Sequence, residues 1–417
     1  MSFQQPSRSL TLQDYLFLAV VIALIIAVTA GLYFVNRSLP DGGGEFLRHW
    51  AGGRAFMFDH NNPYEGEVPA RVQKLVYGGD VPAGNEPYIL DTPFHLLLFY
   101  FPFSLLSDPL LARAIYTLIL EWALFALALL SLRLTGWETP RWFGVLFFFL
   151  CVTNFYTFQA ILDASPVLLL GLFFVGIVFS LSNEQDEAAG ALLAFSLYYW
   201  EVGLPFLLFV AWYAYKTRRV RVFAGFGMFS FIFLAGSFII FPNWFIAYLR
   251  AGMNNLRADF GYTIFSTLAA LLPTFGNWLA WGVVILLIFA LGYEWNTAIQ
   301  FNDPRRFYWT ACLSLAAAPL LGFRSQWENL AVLFIPLALI FAIIQDRWRI
   351  GRLLNFLFLF ILLLVPWALY LYAIPRYGEI VKELIFLLLP LFTLVGLYWI
   401  RWWALHPPRI WTDTFTR

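Results

Sequence analysis

The chain has 417 residues, of which 61% are hydrophobic, 20% aromatic and only 12% charged. Soluble domains carry about 25% charged residues, so the composition excludes a water-soluble fold and indicates a chain embedded in lipid. The 26 basic and 25 acidic residues nearly cancel, which leaves no basic footprint for nucleic acid.

A membrane span takes about 20 predominantly apolar residues. The first such run, 15–35, lacks a small-residue cleavage site and reads as an uncleaved anchor. A long loop, 36–87, follows and opens with Asp41-Gly42-Gly43-Gly44-Glu45, where the glycines let the chain turn sharply out of the span. The next stretch, Glu45 to Phe58, predicts a helix. On it Glu45, His49, Gly52 and Phe56 share a face and Trp50 lies over Arg54, because residues three or four apart are neighbours. Glu45 oriented by His49, with small Gly52 and Gly53 leaving room for a ligand, is what a general base needs. The same spacing also suits a helix lying in the interface with its polar side chains in water.

Further apolar runs cover 88–107, 110–133, 141–161, 164–182, 188–215 and 220–241. Three acids stand out along them. Glu121 sits mid-span, Asp163 lies between two runs, and Glu201 precedes Pro205 by four residues, where a kink is expected. An acid at bilayer depth is a functional candidate by default; the alternative is a protonated or hydrogen-bonded structural acid between helices. Lys216-Thr217-Arg218-Arg219-Val220-Arg221 is the densest basic cluster, and the positive-inside rule places it in the cytoplasm. The second long loop, 242–262, sets Arg250, Asn254 and Arg257 on one helical face and Trp244, Ala247, Tyr248 and Ala251 on an apolar stripe. Two guanidiniums one helical step apart suit a phosphate or diphosphate, although arginines also snorkel to lipid headgroups.

Runs at 276–294, 307–323, 327–345, 351–374 and 381–403 follow, with a short, re-entrant stretch ending at Pro273. The expected fold is an all-α polytopic membrane protein with about twelve spans in the inner (plasma) membrane. No repeat of fixed period divides it, so 1–417 reads as one membrane domain. Both termini and the clusters Arg347, Arg349, Arg352 and Arg401, Arg409 then lie inside. The two long loops lie outside, and their aromatic content and length mark them as functional. Arg133 and Arg141 fall outside against the rule, so one early hairpin is expected not to cross fully.

Two cysteines, Cys151 and Cys312, sit in apolar runs, and four histidines show no metal-ligand spacing, so neither a disulfide framework nor a metal site is expected. No phosphate loop or dinucleotide fingerprint is present, and no cofactor is expected.

The stretch Glu45-Phe46-Leu47-Arg48-His49-Trp50-Ala51-Gly52-Gly53-Arg54-Ala55, followed by Asn61-Asn62-Pro63-Tyr64, resembles the first-loop signature of glycosyltransferase family 87. Thr92-Pro93-Phe94, Ala189-Gly190, Pro242-Asn243-Trp244 with Tyr248-Leu249, and Pro319-Leu320-Leu321-Gly322 leading to Asn329 and Pro336 add to the likeness, which is scattered over 41–345. The resemblance implies the C-type glycosyltransferase fold. It also implies inverting transfer of a sugar, mannose-like, from a polyprenyl-phosphate carrier to a lipid or glycan acceptor outside the cytoplasm, without an obligatory metal. The family usually carries Asp where this chain has Glu45, and many members a Lys-Pro pair where it has Glu201 and Pro205. On this reading Glu45 is the base, His49 orients it, and Arg250, Arg257 and Arg324 hold the donor phosphate. A proton-coupled transporter working through Glu121 and Glu201, and a polysaccharide ligase or polymerase of similar architecture, are the rival readings.

Overall fold

The computed structural model describes residues 12–39, 42–82, 88–137, 139–257 and 261–406; within these ranges the side chains of 12, 13, 17, 198 and 255–257 lie outside the description. The chain is about 82% helical, and among the described residues the one β-type contact is an isolated antiparallel bridge between Tyr262 and Ser325. In chain order the main helices are α1 (Leu12–Ser38), α2 (Gly44–Phe58), α3 (Val68–Tyr77), α4 (Pro109–Leu134), α5 (Arg141–Thr153), α6 (Phe155–Leu162), α7 (Val167–Ser182), α8 (Asp186–Ser196), α9 (Trp200–Lys216), α10 (Val220–Ile240), α11 (Trp244–Arg257), α12 (Ile264–Leu271), α13 (Gly276–Phe301), α14 (Pro304–Ala317), α15 (Phe334–Arg347), α16 (Gly351–Ala368) and α17 (Glu379–Leu405).

Seven helices are long and apolar enough to cross a membrane, or eight if α5 and α6, bent by 50° at Asn154, form one span. That is fewer than the roughly twelve expected from apolar runs, because the 88–107, 164–182, 188–215 and 307–323 runs give no helix of that length. The 88–107 run folds as a short segment, Phe94–Ser104, about 16 Å at the helical rise against a hydrocarbon core of about 30 Å. The 188–215 run is not one span but a hairpin. A 3-10 turn at Leu197–Tyr199 separates α8 from α9, and Arg219, just after α9, pairs with Asp186 at the start of α8, so the chain has returned to where it began.

α14 and α15 form the second such hairpin, and nearly every residue in them is buried; they are the core on which the outer helices pack. Those outer helices present apolar side chains outward, as Phe231 (73% exposed) and Ile239 (82%) on α10 and Trp278 (80%) on α13 do. Continuous apolar exposure of this kind fits lipid and not water. Helices α8 and α10 approach closely through small residues: a Cβ on Gly190 would lie 2.0 Å from the Val222 carbonyl, and one on Gly225 2.3 Å from that of Glu187. Such close contact is how helices associate where no hydrophobic force separates them from lipid.

The two ends of the bundle differ. One end collects 134–137, 182, 304–305, 346–347 and 403–404 around a cavity, and Arg219 ties 181 and 186 to the same end. The other end gathers 36–39, 42–45, 88–93, 162–163, 199–201 and 323–327, through contacts described below. Arg133 and Arg141 therefore lie at the end of the bundle that carries the remaining basic clusters. The helix in the 88–107 run is shorter than a span needs, and without that crossing the positive-inside rule would put Arg133 and Arg141 with those clusters.

Candidate active site

Helix α2 is not an interfacial helix facing water. Ten of its fifteen residues are buried, and three neighbours clamp it. Phe46 stacks on Tyr116 of α4 at 4.7 Å; Trp50 Nε1 and Arg54 both donate to the Leu106 carbonyl; His49 stacks on Tyr100 at 4.2 Å. Arg54 also lies over the Trp50 ring, as the helical spacing predicts. Gly52 and Gly53 do not leave ligand space. A Cβ on Gly52 would lie 2.6 Å from Leu90, and one on Gly53 2.4 Å from Ser104 Oγ, so both glycines permit close packing.

The entry to α2 explains the glycines before it. Gly42 and Gly43 hold φ of 95° and 79°, the left-handed region that costs other residues energy, while the Gly43 N–H donates to the Leu162 carbonyl. Gly43 has no side chain with which to cap the helix, and the Asp163 carboxylate supplies the acceptor from α6. It takes a bond from the Glu45 N–H at 3.4 Å and another from the Tyr88 hydroxyl at 3.1 Å. An anion at a helix N-terminus meets the orphan donors and the positive end of the dipole. Arg113 completes the turn by donating to the carbonyls of Gly42 and Leu39. Asp41 lies outside the described residues.

The Glu45 carboxylate is held by groups other than His49. Arg48, one turn on, places Nη2 2.6 Å from both carboxylate oxygens, and the Tyr199 hydroxyl donates to Oε1 at 3.0 Å. Arg48 is itself pinned by Asp91 at 3.0 Å and by the Ile89 carbonyl at 2.8 Å. His49 instead orders the backbone: Nδ1 lies 2.5 Å from the Glu45 carbonyl oxygen, and Nε2 lies 2.6 Å from the Thr92 hydroxyl. A carbonyl can only accept, so the proton sits on Nδ1 and Nε2 accepts from Thr92. Orientation of the carboxylate by His49 is thus replaced by orientation through Arg48 and Tyr199.

Burial lifts the Glu45 carboxyl above its ordinary value; Arg48 pulls it back, Asp91 raises it again, and the Tyr199 bond lowers it. Burial holds His49 well below its ordinary value, with Arg48 acting in the same sense, so the ring stays neutral. Glu201 opens α9 near enough to Asp91, Glu45 and Arg48 to interact with each electrostatically. Three carboxylates therefore surround one buried guanidinium. Glu45 Oε2 is buried and is held by the Arg48 ion pair, without a second donor of hydrogen-bonding geometry.

The remaining sequence candidates fall at different distances from this cluster. Asp163 belongs to it through the helix cap. Glu121 does not: it accepts from Asn36 of α1 at 3.1 Å and shares no described contact with the other acids. Arg324 sits on the turn between α14 and α15, where Phe323 packs on Trp200 beside Glu201. Arg250 lies further out, exposed, and pairs with Glu65 of the first loop at 3.3 Å. The Arg257 side chain lies outside the described residues. The stripe on α11 packs as its spacing predicts, with Trp244, Ala247 and Ala251 buried and Tyr248 against Tyr64. Among the described residues, no three His, Cys, Asp or Glu side chains are grouped to hold a metal ion. Comparison with the models of known protein families gives no match to this chain, and comparison with curated proteins gives none either.

Proposed function

We propose that this chain is a membrane glycosyltransferase of the C-type fold, moving a hexose from a polyprenyl-phosphate carrier to a hydroxyl on a lipid or glycan acceptor. The site faces outside the cytoplasm, with the basic end of the bundle inside, as the distribution of arginines favours. One observation supports the reading above the others. Glu45 is a carboxylate held still at a helix start, raised in basicity by burial, with Oε1 bonded by Tyr199 and Arg48 and Oε2 ion-paired to Arg48 alone. That is the design of a general base.

In the proposed step the acceptor hydroxyl gives its proton to Glu45 Oε2 as its oxygen attacks the anomeric carbon. The bond from that carbon to the phosphate oxygen breaks, and the polyprenyl phosphate leaves with the electron pair from the opposite face. Inversion follows, because only one displacement occurs. The leaving phosphate is a stable anion, so cations near it suffice in place of an acid. Oε2 is covered in the described conformation, and the acceptor reaches it when the cover moves.

The test uses purified chain in detergent with a radiolabelled polyprenyl-phosphate hexose and a membrane-lipid extract as acceptor. Label transferred in a Glu45-dependent way supports the proposal. If no sugar moves and reconstituted vesicles instead transport a solute in a way that Glu121→Gln abolishes, the transporter reading replaces it.

A further inference from the structure

At the end of the bundle opposite Glu45 lies a cavity of about 700 Å³, a volume in the range of small-molecule sites. It uses none of the groups assigned above. Its floor and walls are apolar side chains of α7, α14, α15 and α17, with Trp309 and Trp403 among them. Arg305 stands at its exposed mouth, and Arg347 lines it from the end of α15. Tyr308 of α14 also lines the cavity and is 8% exposed; its hydroxyl is buried against the Cys312 thiol. Asp346 lines the mouth as well, so two guanidiniums and one carboxylate meet there.

We propose that this cavity binds a phosphate group, with Arg305 and Arg347 as its cationic contacts. Guanidinium forks match phosphate oxygens bidentately. The apolar walls beyond them have room for the first methylenes of a chain attached to that phosphate. An anionic lipid headgroup and a soluble phosphate ester share this chemistry. The site is independent of the transfer reaction proposed above and stands or falls without it.

The experiment places the full chain in nanodiscs of phosphatidylcholine, with phosphatidylglycerol added as one probe and inorganic phosphate as the other. Binding is read by native mass spectrometry and by the fluorescence of the cavity tryptophans. Saturable phosphatidylglycerol binding should weaken about tenfold for Arg305→Ala and again for Arg347→Ala. Arg305→Lys, which keeps the charge and an exposed position, should lose only part of the affinity. Arg141→Ala, at the same end but not lining the cavity, should change nothing. Phosphatidylglycerol binding with this arginine dependence identifies a lipid headgroup; the same dependence with inorganic phosphate alone identifies a soluble ester, and either supports the site. The proposal is overturned if neither probe responds to the double arginine substitution, or if Arg141→Ala weakens binding equally, which would make the effect one of diffuse charge.

Discussion

Replacing Glu45 with Gln removes proton acceptance while keeping the length of the side chain and the bond from Tyr199. The structural cost is set by Arg48. Without the Glu45 carboxylate the guanidinium keeps Asp91 at 3.0 Å and the Ile89 carbonyl at 2.8 Å, so it is not left buried without a counter-charge. What is lost is a charged hydrogen bond, about 1.5–3 kcal/mol, and part of that returns because a carboxylate no longer has to be desolvated. The variant should therefore fold. General-base catalysis contributes about 10²–10⁴ in rate, and single-turnover transfer should slow by that factor with donor binding unchanged. The pH profile gives a second readout. Burial holds the Glu45 carboxyl above its ordinary value, so it keeps its proton to a higher pH than an exposed acid. A base must be unprotonated, hence the parent's rate falls as pH falls through that raised value, before the usual carboxylate range near about 4.3 is reached. Glu45→Gln should lose this acid limb, and Glu45→Asp should keep it with reduced turnover. A folded Gln variant that turns over like the parent, or that retains the acid limb, refutes the assignment.

Tyr199→Phe should slow transfer about tenfold. It should also move the acid limb to higher pH, because the lost bond stabilised the charged form of Glu45. Gly190→Ala forces a Cβ against the Val222 carbonyl at 2.0 Å and should lower stability by about 1–3 kcal/mol, read as a lower unfolding midpoint in detergent. Cysteines introduced at Asn62 and Asn254 should react with an impermeant thiol reagent from outside intact cells, and one at Thr217 should not; labelling at Thr217 would invert the proposed sidedness. Arg324→Ala should weaken donor binding more than Arg250→Ala does, by direct titration of the polyprenyl-phosphate sugar.

Much of the fold is legible because length and apolar content report lipid burial directly. What such runs do not report is direction. Nothing about Leu197-Tyr198-Tyr199 marks a reversal, since no glycine or proline stands there, and the run through 188–215 reads as one continuous helix. The misplaced Arg133 and Arg141 did carry the needed signal, because a charge on the wrong side implies one crossing too many before it. At the site, Glu45 is visible as a lone acid beside glycines, and Arg48 is within reach of the same helical spacing that singled out His49. The i, i+3 neighbour proved to hold the carboxylate, and the i, i+4 neighbour the backbone. Tyr199 and Asp163 lie 154 and 118 residues from Glu45, and no local pattern predicts contacts that only tertiary packing creates. Glu121 is similar: its isolation in an apolar run is plain, but its partner Asn36 sits on another helix.

The balance of charge around Arg48 decides where a donor phosphate can sit. Glu45, Asp91 and Glu201 share that one guanidinium, so the cluster has no cation to spare for a phosphate. A second anion about 6 Å from an unpaired carboxylate meets a repulsion of about 3 kcal/mol at an effective dielectric of about 20. The phosphate must therefore be met by a cation outside the cluster yet within reach of the sugar that Glu45 serves. Arg250 is on the outer rim, exposed and engaged with Glu65, so recruiting it breaks one pair to make another, and its charge is screened by water. Arg324 is half-buried on the turn where Phe323 packs on Trp200, so a phosphate held there would be less screened by water than one at Arg250. The expected order is a large loss of donor affinity for Arg324→Ala, partial recovery for Arg324→Lys because the bidentate geometry is lost, and a small, salt-sensitive effect for Arg250→Ala. If Arg250→Ala produces the larger loss, the phosphate lies in the outer loop, and the distance from there to Glu45 would no longer suit direct transfer.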